Sequence, residues 1–133
     1  MGTCVAGILV RRGKFLVEER LPIDTDPGYV AIPGGHLEGD ESLEDALRRE
    51  VREELGVRVR RMRPVSLGYH TASDGEKQRI HYFHVEKWRG AIRTREAKRL
   101  FWESKIGNLS ALADRRAITR VLRLRCRTRG WRS

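Results

Sequence analysis

The chain has little with which to staple, stiffen or anchor itself. Of 133 residues, two are cysteines and four are prolines. Cys4 and Cys126 stand near opposite ends, without the paired spacing of a zinc site or the density of a disulfide scaffold, so both are expected as free thiols, buried or half-buried. No apolar run approaches the roughly 20 residues that cross a bilayer, which excludes a spanning helix. The opening MGTCVAGILV lacks a basic segment before its apolar stretch and has Ala6 where a myristoylation signal needs Ser or Thr. It reads as a first strand, and the expected setting is cytoplasmic, with no membrane partner. Aromatic residues make up 7% of the chain and do not alternate with its arginines, so no nucleic-acid platform is declared. The acceptor-like Asn108-Leu109-Ser110 is read as chance, for want of a secretory signal.

What the chain does have is arginine. The net charge is +10 and the pI about 10.6, with clusters at Arg58, Arg60, Arg61 and Arg63 and again from Arg115 to Arg132. Such a field attracts anions, so nucleotides are the natural partners, with nucleic acid left open. The length suits one domain, 1–133, in which residues from about 123 onward read as a flexible basic tail.

The pattern along the chain is α+β. Val5 to Val10 and Phe15 to Glu19 read as strands joined by a hairpin at Arg11 to Lys14. A loop follows from Pro22 to Gly28, then a short strand from Tyr29 to Ile32. Val57 to His70 is strand material interrupted at Pro64, and Arg79 to Trp88 alternates apolar residues on both faces, as a central strand does. Leu100 to Trp102 is a last short strand, and apolar residues from Leu109 to Leu124 recur at helical spacing. A mixed sheet covered by helices is the expected architecture.

The chemistry gathers in GGHLEGDESLEDALRREVREELGV. Asp40 or Ser42 can cap a helix over about 43 to 55, and Gly56 can end it in a left-handed conformation. Leu43, Ala46, Leu47, Val51 and Leu55 form the stripe that must bury. Glu50 and Glu54 fall within that stripe and Glu53 on its margin. Arginines of the same helix are expected to project away from it. Carboxylates do not bury uncompensated, and a hard cation such as Mg²⁺ resolves the conflict by taking their oxygens while keeping waters and phosphates in its other positions. Gly34 and Gly35 would bring bare backbone to the cluster, with the Gly34 carbonyl as a candidate ligand.

These residues resemble the Nudix box, G-x5-E-x7-R-E-U-x-E-E-x-G-U with U aliphatic. Gly35, Glu41, Arg49, Glu50, Val51, Glu53, Glu54, Gly56 and Val57 occupy every fixed position. AGILVRRGKFLVEER and YVAIPGGHLEGDES are similar to the segments before the box in MutT-like members, and EAKRLFWESKIGNLSAL to their last strand and closing helix. The resemblance implies a Nudix α/β/α sandwich with a mixed sheet between helices, and Mg²⁺-dependent hydrolysis of a nucleoside diphosphate linked to another moiety, with Mn²⁺ as a substitute. It implies Glu50, Glu53 and Glu54 as metal ligands beside the Gly34 carbonyl, with one of these acids or Glu96 as general base. It further implies that Glu96 joins the metal site, that Arg49 orients Glu41 or its neighbours, and that Arg20 holds a substrate phosphate. Family members are often homodimers, which leaves that state open here.

Substrate choice lies outside the box. The chain lacks the downstream proline of ADP-ribose hydrolases and the NADH hydrolase pattern, which favours a MutT-like (deoxy)nucleoside triphosphate pyrophosphohydrolase, with oxidised nucleotides among its candidates. ADP-ribose, a dinucleoside polyphosphate or capped RNA is the alternative, and a non-catalytic nucleotide- or RNA-binding module is the alternative of another class. The base-recognising asparagine of MutT has no clear counterpart. Asp114 is a candidate replacement, though it is expected as an exposed helix residue, and Tyr29, Tyr82, Phe83 and His81 are candidates to line a base pocket.

Overall fold

The computed structural model describes residues 1–20, 28–93 and 98–130. The first apolar run does not stay in one sheet. Strand β1 (Gly2–Ile8) ends before Leu9, and the short β2 (Val10–Arg11) turns back onto β3 (Lys14–Arg20). Arg12 and Gly13 both take positive φ, 53° and 77°, the backbone that a two-residue hairpin requires to match strand twist. The expected hairpin therefore exists, with Val10 opposite Phe15. Residues up to Ile8 pair elsewhere.

Strand β1 lies between β5 (Gly34–His36), antiparallel, and β7 (Lys77–Arg89), parallel. Strand β6 (Arg58–Thr71) pairs antiparallel with β7, giving the order β5-β1-β7-β6 and placing β7 in the interior, as its two-sided alternation requires. Pro64 does not interrupt β6. It sits on the outermost strand, where no ladder donor is needed, and the register slips between Pro64 and Ser66. In a second, antiparallel sheet, β3 pairs with β2, with β4 (Val30–Ala31) and with β8 (Lys98–Glu103). The expected single mixed sheet is thus split in two, because the kink at Leu9 passes the chain from one to the other. Arg11 spans the two sheets, its guanidinium lying 5.3 Å from the ring centre of Trp88 on β7 and 5.2 Å from that of Trp102 on β8.

Helix α1 (Leu43–Leu55) has the expected bounds. Of the two candidate caps, Ser42 takes the role: its side chain accepts a hydrogen bond from the Asp45 N–H at 3.1 Å. Gly56, at φ 75°, ends the helix in the left-handed region. Ala46, Leu47, Val51 and Leu55 pack on Val5, Leu9, Leu16, Phe83 and Val85. Helix α2 (Leu112–Gly130) starts later than the apolar spacing suggests, because a 3-10 turn (Ile106–Asn108) comes first, leaving Leu109 buried but outside the helix. It continues through Gly130, so residues 123–130 are helical, while residues 131–133 lie outside the described residues. Ala117, Ile118 and Val121 of α2 pack with Ile8, Phe15, Val17 and Tyr82.

Tyr82 belongs to the α2 core and its neighbour Phe83 to the α1 core, so the helices cover opposite faces of β7. The architecture is the α/β/α sandwich. Both cysteines are free; burial pushes the Cys4 thiol up to about 11, whereas Cys126, contrary to expectation, is exposed. Among the described residues, no helix is long and apolar enough to cross a membrane.

Candidate active site

The acids of α1 are organised by one arginine. Arg49 donates to both oxygens of Glu41, from Nε to Oε2 at 2.7 Å and from Nη2 to Oε1 at 2.9 Å. Its Nη1 donates to Glu50 Oε1 at 2.9 Å and to Glu53 Oε2 at 3.3 Å, and its Nη2 also to the His36 carbonyl at 2.9 Å. Glu38 lies 3.5 Å from Nη1. The loop between β5 and α1 is thereby fastened to the helix, and the Glu38 N–H donating to Glu41 Oε1 closes it on itself. Planar, multidentate recognition of this kind needs a guanidinium and not an ammonium. Arg49, expected to orient Glu41 or its neighbours, is in contact with Glu41, Glu50 and Glu53. The helix arginines are expected to project away from the apolar stripe; the Arg49 side chain nonetheless folds back along the helix onto Glu50 and Glu53.

Glu50 is drawn inside, its side chain 11% exposed against 56% for Glu53. Burial raises its pKa, Arg49 opposes the rise, and the charges of Glu54 and Glu53 add to it. The Oε2 atom of Glu54 is also buried. The glycine pair explains how Glu50 fits. A Cβ on Gly35 would lie 2.4 Å from the Glu50 carboxyl carbon, and one on Gly34 would lie 2.0 Å from the Val5 carbonyl oxygen of the paired strand. Any side chain at either position would force the carboxylate or the strand away.

Glu50 stands against the bare backbone of Gly35, and Glu53 and Glu54 follow it on the same helix; carboxylate oxygens of this kind fit a hard divalent cation chemically. The arrangement is open. Among the described residues, no three histidine, cysteine, aspartate or glutamate side chains stand as a group that could by themselves hold a metal. Glu96 lies outside the described residues, as does the side chain of Arg20, although its backbone ends β3 opposite Lys98.

Beside the glycine pair lies a cleft of about 1110 Å³, whose lining includes Gly34, Gly35, Tyr29, Ile32, His70 and Asp114. Asp114 is not the exposed helix residue that its place in an arginine-rich segment suggests. It is 5% exposed; Oδ2 accepts from the Ile32 N–H at 3.1 Å and Oδ1 from the Tyr82 hydroxyl. Burial raises its pKa, against the pull of those two hydrogen bonds. Tyr82 is therefore a buried support for Asp114, and Phe83 belongs to the α1 core. His81, half-buried, follows the same strand alternation as Phe83 and is not among the residues lining the cleft. Tyr29 does line the cleft, its hydroxyl 3.2 Å from His70 Nε2. Glu18, a buried carboxylate in the cleft wall on β3, was not among the sequence candidates. Its one signal is strand alternation, which puts it on the same side as buried Leu16.

The family model of the NUDIX domain matches residues 2–114, and the chain belongs to that family: it is a Nudix hydrolase of the MutT-like kind, acting on phosphorus-containing anhydrides. Over 103 residues it is 34% identical to the CTP pyrophosphohydrolase of Escherichia coli (strain K12), spanning 74% of this chain and 72% of that protein. It is 25% identical over 101 residues to the 8-oxo-dGTP diphosphatase of Buchnera aphidicola subsp. Schizaphis graminum, spanning 74% and 73%. The crystal structure of a MutT NUDIX hydrolase from Burkholderia pseudomallei superposes with a TM-score of 0.78 at 25% identity, covering 90% of this chain and 97% of that one.

Proposed function

We propose that the chain is a Mg²⁺-dependent nucleoside triphosphate pyrophosphohydrolase whose nucleobase lies against Asp114 and whose phosphates reach the acids of α1. The observation that carries this reading is that Gly34 and Gly35, which pack beside the acids of α1, and the buried Asp114 line one and the same cleft. A cytosine nucleotide, intact or oxidised, is the first candidate. Both oxygens of Asp114 already accept protein hydrogen bonds, which fixes the carboxylate in place, and their remaining lone pairs suit an exocyclic amino donor such as cytosine N4.

Glu50, Glu53, Glu54 and the Gly34 carbonyl are the groups that would hold the cation. When bound, it would supply neutralisation of phosphate charge and a lowered pKa for the attacking water. Arg49 sets the positions of Glu50 and Glu53, so a proton leaving that water meets a carboxylate whose orientation is already fixed. The water oxygen bonds to phosphorus, the bridging P–O bond breaks, pyrophosphate leaves, and the proton passes to a glutamate. A hydrolysis screen over ordinary and oxidised triphosphates, ADP-ribose, dinucleoside polyphosphates and capped RNA tests the reading. Monophosphate and pyrophosphate from a triphosphate is the expected outcome; preferred turnover of ADP-ribose or capped RNA overturns it.

A further inference from the structure

The molecule carries a second groove, on the side of α2 away from its buried core. It measures about 830 Å³ and runs between Ser66 to Tyr69 of β6 and the outer face of α2. Strand β6 is the last in its sheet, and among the described residues nothing pairs with its outer edge. Natural edges are blunted by bulges, prolines or charge, because an open edge is a template for another strand. The first half of β6 follows that rule, with Pro64 and register slips after Val59, Arg61 and Pro64. From Ser66 to Thr71 the ladder is regular and carries none of these devices.

Around that open stretch the surface is both apolar and cationic. Leu67 and Tyr69 are 47% and 60% exposed, as are Leu112 and Leu124 of α2 at 57% and 44%. Arg116, Arg120, Arg123 and Arg127 line the groove at three- and four-residue spacing, one stripe of the helix. No ion pair joins any of these four to another described residue. A Cβ on Gly68 would lie 2.8 Å from the Ala113 Cβ, so Gly68 faces the helix and lets it sit close. Strand alternation then puts Leu67 and Tyr69 on the opposite face.

We propose that the open edge of β6 and the arginine row of α2 form a docking site for an acidic, extended segment of a partner protein, which adds to β6 as a further strand. Backbone pairing supplies the affinity and the alternating environments supply the selectivity. Side chains of the added strand on the helix side meet guanidinium groups and should be acidic; those on the other side meet Leu67 and Tyr69 and should be apolar. A second copy of this chain fits poorly, since two-fold pairing would bring the same arginine row from each subunit toward the other. A nucleic acid fits less well than a peptide, because among the described residues Tyr69 is the one aromatic side chain in the groove lining, and the strand edge offers backbone pairing that bases do not use.

Fluorescence anisotropy with the intact protein tests the assignment, using a labelled peptide of about eight residues alternating Glu and Val. A Lys/Val peptide and an oligouridine of similar length serve as comparators, all in salt of about 0.15 M. The Glu/Val peptide is expected to bind, to weaken at least about tenfold in Arg116→Glu/Arg120→Glu, and to slow amide exchange at Leu67 and Tyr69 of the wild type. Circular dichroism and nucleotide turnover of the double variant should match the wild type. Equal binding of Lys/Val, tighter binding of oligouridine, a dimer that dissociates on the same substitutions, absence of Glu/Val binding, or unchanged exchange at β6 each overturns the proposal.

Discussion

The two helices of the sandwich handle charge in opposite ways. Helix α1 concentrates acids and disciplines them with one arginine, whereas α2 concentrates arginines around one buried acid. On α1, Arg49 touches Glu41, Glu50 and Glu53 together, so removing the guanidinium leaves several anions adjacent without a counter-charge. On α2, Asp114 is held by a hydroxyl and a backbone N–H, neither of them charged, while Arg116, Arg120, Arg123 and Arg127 face outward. The acid cluster is suited to holding a cation and polarising a reaction. The lone carboxylate is suited to reading a shape.

Four measurements press on that contrast. The largest effect is expected from Glu54→Gln, which keeps the volume and removes a charge from the α1 cluster: turnover of the preferred triphosphate should fall at least about a hundredfold with the fold intact. A variant with near wild-type kcat would remove Glu54 from the reaction. Next comes Arg49→Lys, which keeps the charge but loses the fork on Glu41; urea denaturation should show a loss of about 1–3 kcal/mol. An unchanged midpoint would mean that the loop before α1 is held by other contacts.

Asp114→Asn acts on the opposite helix, so it should move selectivity more than speed. The ratio of kcat/KM for cytosine over guanine triphosphates is expected to change about tenfold, and an equal loss on every base would count against a reading role. The smallest effect concerns His84 on β7, whose pKa is lowered by burial and by Arg125. Its folded value lies below the unfolded one, near 6.5, so the unfolded chain binds the proton more readily. Stability should therefore fall as pH drops below about 6.5 and level off below the folded value. His84→Gln should flatten that slope, and a slope left unchanged would assign the acid sensitivity to other groups.

The α1 half was legible because its determinants are local. Ser42, the apolar stripe, the acids within it and Gly56 lie in one continuous segment, and each states its role through spacing along a helix. The α2 half depends on partners distant in sequence. Asp114 looks like a surface residue until Ile32 and Tyr82 are brought to it by β4 and β7. Glu18 looks like the polar end of a strand until the cleft closes beside it. The split at Leu9 is likewise invisible in the apolar run itself, since Ile8 and Val10 are equally suited to a strand and differ in which neighbour pairs with them. Arg49 falls between the two cases. Its helical position was readable, but the bend of its long side chain back onto Glu50 was not.

The Glu41–Arg49 clamp has a bearing on the order in which the molecule assembles. It joins residues of one short segment, so the closure entropy opposing it is small. Pairing of β1 with β7 sets Cys4 against Ile80, and the Asp114 contacts join Ile32 to the start of α2, both across long stretches of chain. Local contacts form readily and distant ones wait. The loop, its arginine and α1 are thus expected to be structured in the folding transition state, with φ-values at Leu47 well above those at Ile32. The half of the site suited to chemistry would then exist before the half suited to choosing a substrate.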